Sequence, residues 1–231
     1  MRPSWEDILK SRKNINGWWP TIVHEPFELA LTWLIAPYQR ITPNLISLFS
    51  FTLGVTASAL LIKGTWLLGI AGAVVYELSH ILDGVDGKIA RLRKMTSLRG
   101  DFLDKSFDCW KELLMASSIA LSMYPRWEGF AAAGLFVFGR LLIAFQRTLI
   151  PETHEIINEK QFRSPGLMHR LEILMSRYKL AGNPLGTVEL QVIAYVFGPI
   201  LDARLVCMST AALLSLLKSI AWAVRSYRNL S

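Results

Sequence analysis

The sequence predicts an all-α integral membrane protein. Six transmembrane helices are expected, preceded by an interfacial amphipathic helix, with both termini cytoplasmic. Three observations carry this expectation. Of the 231 residues, 52% are hydrophobic and 19% charged, against roughly 25% charged in soluble chains. The apolar residues fall in blocks of roughly twenty, the length that crosses a bilayer core of about 30 Å. The basic residues crowd onto one set of flanking segments. None of the blocks alternates with period two, so helices and not barrel strands must satisfy the backbone in lipid.

Residues 1–41 read as the N-terminal interfacial segment. Trp5, Ile8 and Leu9, then Trp18, Trp19 and Ile22, interleave with charges, Gly17 and Pro20, the mixture that lies in a membrane surface. Met1–Lys13 lacks the apolar stretch of a cleavable signal. Residues 42–231 form the membrane domain. Its expected spans are Pro43–Ile62, Trp66–Leu82, Phe102–Met123, Gly129–Leu149, Val188–Ala203 and Leu205–Val224. The third opens with several charges and the fifth is short. Lys63-Gly64 and Tyr124-Pro125-Arg126 mark turns. The segment Glu152–Gly186 carries Leu167, Leu171, Leu174 and Met175 at helical spacing, which predicts a helix lying on the surface. Cys109 and Cys207 have no metal-ligand spacing and read as packing residues.

The six spans divide the remaining chain into two sets. One set holds the N-terminus, residues 83–99, Arg147 with residues 150–186, and the C-terminal tail; it contains eighteen of the 25 Lys and Arg. The other holds Lys63, Arg126 and Arg204 alone. This asymmetry places the first set in the cytoplasm. The surplus of seven positive charges is thus topological, and no basic stripe for nucleic acid is present.

The chemistry concentrates between Asp83 and Asp108, which hold five of the seven aspartates. Carboxylates beside a membrane are costly unless paired or bound to a cation, so they mark function. Asp83 and Asp86 are three apart at the end of the second span, followed by Gly87, Ala90 and Arg91. Gly100, Asp104 and Asp108 are four apart at the start of the third. Both spacings put their members on one helix face. Leu92–Arg99 is short and basic, which predicts an antiparallel helix pair with four carboxylates converging at its cytoplasmic end. Asp101 faces away from that stripe.

Four ionised carboxylates at close quarters need positive charge. An all-oxygen donor set favours Mg²⁺, with Mn²⁺ possible, over Zn²⁺. Two such ions would clamp a diphosphate and stabilise a leaving phosphate. Arg91, one turn away, is placed for a phosphate oxygen. Gly87 and Gly100 clear space for a ligand or a facing helix.

The run Asp83-Gly-Val-Asp86-Gly87-Lys-Ile-Ala90-Arg91, eight further residues, then Gly100-Asp-Phe-Leu-Asp104-Lys-Ser-Phe-Asp108 fits D-x2-D-G-x2-A-R-x8-G-x3-D-x3-D without a gap. Eight fixed positions at set spacing resemble the signature of the CDP-alcohol phosphotransferases, and Ile41-Thr42-Pro43-Asn44 resembles the family's N-terminal segment. The resemblance implies a six-helix fold, often a homodimer, with two divalent ions near the cytoplasmic face. It implies that Asp83, Asp86, Asp104 and Asp108 bind the metals and that Asp108 is the general base. Gly87 and Arg91 would bind the CDP part of the donor, with Gly100, Ser97 and the Asn44–Ser47 turn as further contacts. The implied reaction is attack by an alcohol on the β-phosphate of a CDP-alcohol, giving a phosphodiester and CMP in (phospho)lipid biosynthesis. Such transfer needs positioning, charge neutralisation and a base.

The acceptor is less defined. Arg140 lies within the fourth span, where it requires an anionic partner: an acceptor phosphate, or Glu77 or an aspartate. Arg147 is placed for an acceptor phosphate or for snorkelling to the interface, and Lys105 beside Asp104 is a third candidate. These residues lean toward a phosphorylated polyol acceptor with a CDP-diacylglycerol-like donor. The alternative places the small alcohol on the CDP, with a lipid or soluble acceptor. His80, three residues before Asp83, would orient a carboxylate or bond a neighbouring helix. A membrane prenyltransferase also uses Asp-rich, Mg-dependent motifs but would need a second aspartate cluster, whereas the second half has only Asp202. A transporter would scatter its charges along a pathway. A scaffold that had lost activity would lack part of the aspartate set.

Overall fold

Ser4 opens the chain's first helix, α1 (Trp5–Lys10), with a capping box. Its hydroxyl accepts from the Asp7 amide at 3.2 Å, and the Asp7 carboxylate accepts from the Ser4 amide at 3.1 Å. The Ser4 hydroxyl and amide together hold Asp7 below the usual carboxylate range. The computed structural model describes residues 3–12, 17–149 and 186–230, and all its regular structure is helical. The expected surface helix in Glu152–Gly186 lies outside the described residues.

A π-helical turn, Pro20–His24, leads into α2 (Glu25–Ile35). The interfacial helix expected around Trp5–Ile22 is therefore split, and its longer part lies further on. Its faces are also inverted relative to a soluble helix. Glu25, Glu28 and Thr32 are buried, while Phe27, Trp33 and Leu34 are exposed. An apolar outer face suits lipid, and the polar inner face meets the charged end of the next helices. Arg93 fixes the far end of α2: its guanidinium donates to the carbonyls of Ile41 at 2.5 Å, Tyr38 at 3.0 Å and Ala36 at 3.2 Å. These include carbonyls that a helix C-terminus leaves without intrahelical partners.

α3 (Pro43–Ile62) starts at the Thr42 cap with Pro43 in the first turn, where the missing N–H costs nothing. Gly64, at φ +72°, turns the chain into α4 (Trp66–Leu92). The second span and the first half of the aspartate motif thus share one unbroken helix of 27 residues, about 40 Å long. α5 (Leu98–Ser122) begins at the Ser97 cap, four residues before the expected span. α6 (Trp127–Leu149), α7 (Thr187–Ile200, with a π-helical middle at Ile193–Phe197) and α8 (Arg204–Leu230) complete the described chain.

Four of these helices are long and apolar enough to cross a membrane: Pro43–Ile62, Trp66–Leu92, Trp127–Gln146 and Arg204–Val224. This is the make-up of an integral membrane protein. Two of the six expected spans fall short for physical reasons. α5 has the length, but Arg99, Asp101, Asp104, Lys105, Asp108, Lys111 and Glu112 load its first half with charge. α7 is apolar but spans only about 21 Å.

α3 runs along α4 and α5, and α6 pairs with α8. Small residues let backbones approach: a Cβ on Gly72 would stand 2.9 Å from Leu61 Cγ and 3.1 Å from the Ala57 carbonyl. The main core gathers Leu61, Tyr76, Met115, Ile119, Phe136, Leu190, Tyr195 and Met208. A smaller one, Ala36, Ile46, Val85 and Ile89, lies under α2. Cys109 is exposed and not a packing residue; Cys207 is partly buried.

Candidate functional site

Two helix ends build the site. The last three turns of α4 carry Asp83, Asp86, Gly87 and Arg91. The first turns of α5 carry Gly100, Asp104 and Asp108. Between them Lys94 adopts the left-handed conformation, φ 54°, and the Met95 amide closes back on the Ala90 carbonyl at 2.8 Å. The chain thereby reverses in a few residues. Ser97 then caps α5, its hydroxyl accepting from the Gly100 amide at 3.1 Å.

This reversal brings together Asp83, Asp86 and Asp104, one carboxylate oxygen of each lying within 4.8 Å of the others. Three converging carboxylates form an oxygen donor set that fits a hard divalent cation. Asp86 is buried, and Ser47 on α3 donates to it at 2.5 Å. Ser47, expected to contact the nucleotide, lines the same cavity and bonds a carboxylate within it. Asp108 does not join the other three, so the expected convergence of four is a cluster of three. It is held by Lys111 at 2.9 Å, and the same ammonium reaches Asp83 at 2.6 Å.

The cluster opens into a cavity of about 690 Å³ that takes in the expected CDP contacts Asn44, Gly87, Arg91, Ser97 and Gly100. Gly87 matters for its missing side chain: a Cβ there would stand 3.3 Å from Arg91 Nη1. The Arg91 guanidinium folds across that space, with Nε donating to the Ser11 carbonyl at 2.7 Å. The N-terminal segment supplies a wall of the same cavity through Pro20, His24 and Glu28. Glu28 forms a buried ion pair with Lys88 and presses its carboxylate onto Gly84, which has no Cβ to meet it. His24 bonds Glu77 at 2.7 Å, and the Trp19 indole donates to the same carboxylate at 3.0 Å.

Two of the three acceptor candidates do not line this cavity. Arg140 makes a two-point pair with Glu112, at 2.7 and 3.2 Å, and does not line the cavity. Its partner is thus neither Glu77 nor an aspartate. Lys105 pairs with Asp101 at 2.6 Å in an exposed position. Arg147 sits near the end of α6, and its side chain lies outside the described residues. His80 lines the cavity, stacked on His24 at 5.8 Å, but its buried Nε2 has no hydrogen-bond partner among the described residues.

Reading the motif missed Lys111 and the N-terminal wall. Lys111 carried a signal, since it stands one helical turn beyond Asp108 and so shares its face. Glu28 and His24 carried none, because only the folding of α2 onto α4 brings them near.

Comparison with known proteins agrees with this geometry. The family described as CDP-alcohol phosphatidyltransferase matches residues 40–225. A bifunctional IPC transferase and DIPP synthase of Rubrobacter xylanophilus is 39% identical over 108 residues, 46% of this chain and 24% of that protein. The inner membrane protein YnjF of Escherichia coli is 33% identical over 167 residues, 71% of each chain. Human cholinephosphotransferase 1 is 31% identical over 135 residues, 51% of this chain and 32% of that protein. The aligned part is therefore a quarter to a third of the two relatives whose names state an activity. The match from residue 40 to 225 contains the whole aspartate motif and both helix ends that carry it, and the chain belongs to the CDP-alcohol phosphatidyltransferase family.

Proposed function

We propose that this protein transfers a substituted phosphate from a CDP-alcohol to the hydroxyl of a second alcohol, releasing CMP. The observation that carries the proposal is the trio Asp83, Asp86 and Asp104, converged to within 4.8 Å in a cavity that also holds Gly87 and Arg91. In this reading the three aspartates hold Mg²⁺, or Mn²⁺ in its place. When bound, the ion neutralises charge on the donor's diphosphate and on the departing phosphate. Arg91 takes a phosphate oxygen. Gly87, Gly100, Ser97 and Asn44 leave room for the nucleotide and contact it. Asp108 accepts the proton as the acceptor oxygen bonds to the β-phosphorus. The bond from that phosphorus to the bridging oxygen then breaks, and CMP leaves with the electron pair.

Six membrane crossings, a homodimer, and a cytoplasmic face for the site with both termini beside it belong to the same reading. The basic asymmetry of the flanking segments supports its topology. A phosphorylated polyol is the proposed acceptor, met by Arg147 and Lys105. Arg140 contributes to this only if Glu112 releases it. A small alcohol carried on the CDP is the second reading, and the similarity to a human cholinephosphotransferase favours it.

The test is a panel of CDP-alcohols and acceptors given to the purified protein with Mg²⁺, with CMP release measured and the product identified by mass. CMP release is expected with one donor–acceptor pair and is abolished by Asp108→Asn. Pyrophosphate release instead of CMP would overturn the reading, as would metal-dependent turnover that survives Asp108→Asn.

A further inference from the structure

Lys111 is the cation that the motif does not contain. Its side chain is 4% exposed, on α5 one turn beyond Asp108. Its ammonium stands 2.6 Å from Asp83 Oδ1, 2.9 Å from Asp108 Oδ1 and 3.3 Å from Ser50 Oγ. An ammonium has three N–H donors, and these three acceptors use all of them. The Ser50 hydroxyl can accept because its own proton goes to the Ser79 carbonyl at 3.0 Å. The stem of the side chain is equally committed. It passes over Gly54, where a Cβ would stand 2.8 Å from Lys111 Cγ and 3.0 Å from Cδ.

A divalent ion bridging Asp83 Oδ1 and Asp108 Oδ1 would sit about 2.0 to 2.5 Å from each oxygen, a position that overlaps the Lys111 nitrogen at 2.6 and 2.9 Å from the same two atoms. Displacing it would strip a buried ammonium of all three partners. We infer that Lys111 is a resident cation occupying, between Asp83 and Asp108, the place a second divalent ion would need, so that the donor-free protein holds a single divalent ion at Asp83, Asp86 and Asp104. Lys111 is then a positioning residue: it holds Asp108 by a fixed charge and leaves that carboxylate outside the metal shell. The inference rests on the proposed function only for the identity of the site as a metal site.

The test counts ions, with turnover measured separately. The purified full chain in detergent, without donor, is titrated with Mn²⁺ and followed by calorimetry and by electron paramagnetic resonance. One ion per chain is expected, with no spin coupling between neighbouring ions; any other count overturns the inference. Lys111→Met is expected to take two ions, now coupled, and Lys111→Arg one. A Lys111→Met protein that still takes one ion overturns it. Asp108→Asn avoids dependence on how Lys111→Met folds: it is expected to keep the wild-type count and affinity, whereas Asp86→Asn weakens Mn²⁺ by more than about tenfold. Loss of the ion in Asp108→Asn overturns the inference. CMP release is assayed on the same preparations. Turnover with two ions in the wild type removes the resident cation and leaves the transferase reading. One ion with no turnover from any donor does the reverse.

Discussion

Gly54 on α3 and Lys111 on α5 are shaped to each other: a Cβ at residue 54 would meet Lys111 Cγ at 2.8 Å. Glycine is thus required there by the side chain of a different helix. Gly54→Ala must push Lys111 along its own axis or open the α3–α5 contact, and overpacking of this kind costs about 1–3 kcal/mol. Because Lys111 ends on Asp83 and Asp108, the effect is expected to reach the site. CMP release should fall by more than the loss of thermal midpoint in detergent accounts for. Full turnover in Gly54→Ala would show that the Lys111 position is not needed.

Glu28 and Lys88 form a buried pair, their side chains 6% and 5% exposed. Removing one partner strands a charge, and Lys88→Met alone is expected to destabilise by about 3–5 kcal/mol. The double substitution Glu28→Met with Lys88→Met should be more stable than either single one. Thermal unfolding of the four proteins closes this cycle. Gly84→Ala, which drives a methyl into the Glu28 carboxylate, should resemble the single variants.

Arg93 ties the α2 end to α4 through backbone carbonyls. Arg93→Ala removes charge-assisted hydrogen bonds, each worth about 1.5–3 kcal/mol when lost. The expected outcome is local: amide hydrogen exchange should accelerate in residues 25–41 while α4, α6 and α8 keep their protection. Uniform acceleration throughout would contradict a local clamp.

Arg140 and Glu112 give a way to separate structure from acceptor binding. Their pair is largely buried, with side chains 13% and 15% exposed, so Arg140→Gln should lower the thermal midpoint. Glu112→Gln with Arg140→Gln should recover much of that loss. If Arg140 serves only Glu112, the double variant keeps the wild-type KM for the acceptor. A KM raised more than about tenfold in both variants, with stability recovered in the double, would return Arg140 to the acceptor site.

The site was legible where its geometry is local. Offsets of three and four residues put Asp83 beside Asp86, and the short basic connector predicted the reversal that brings Asp104 to them. The split of the four carboxylates was not legible. It depends on Lys111 reaching across to α4, which needs Gly54 on a third helix to make room. Of the six expected spans, four meet the length and apolarity of a crossing helix. In α5, Lys111 and Glu112 are paired inside the bundle while Asp101 and Lys105 stay exposed, so average apolarity does not separate buried charge from surface charge. The N-terminal wall was hidden because its polar face turns inward, and a pattern of exposed Phe27, Trp33 and Leu34 has meaning only once lipid is the surrounding medium.

The unbroken run of α4 has one more consequence. Between Trp66 and Asp83 the helix rises about 26 Å, close to the roughly 30 Å of a hydrocarbon core. In the proposed orientation Trp66 stands at one boundary and the carboxylates at a fixed depth beside the other, on a helix without a break between them. For the proposed donor with acyl tails, the phosphate would have to reach that level by sideways diffusion, which would make bilayer thickness a variable of the proposed reaction. Reconstitution in lipids of stepped chain length should therefore give an optimum in turnover, falling away on both the thin and the thick side.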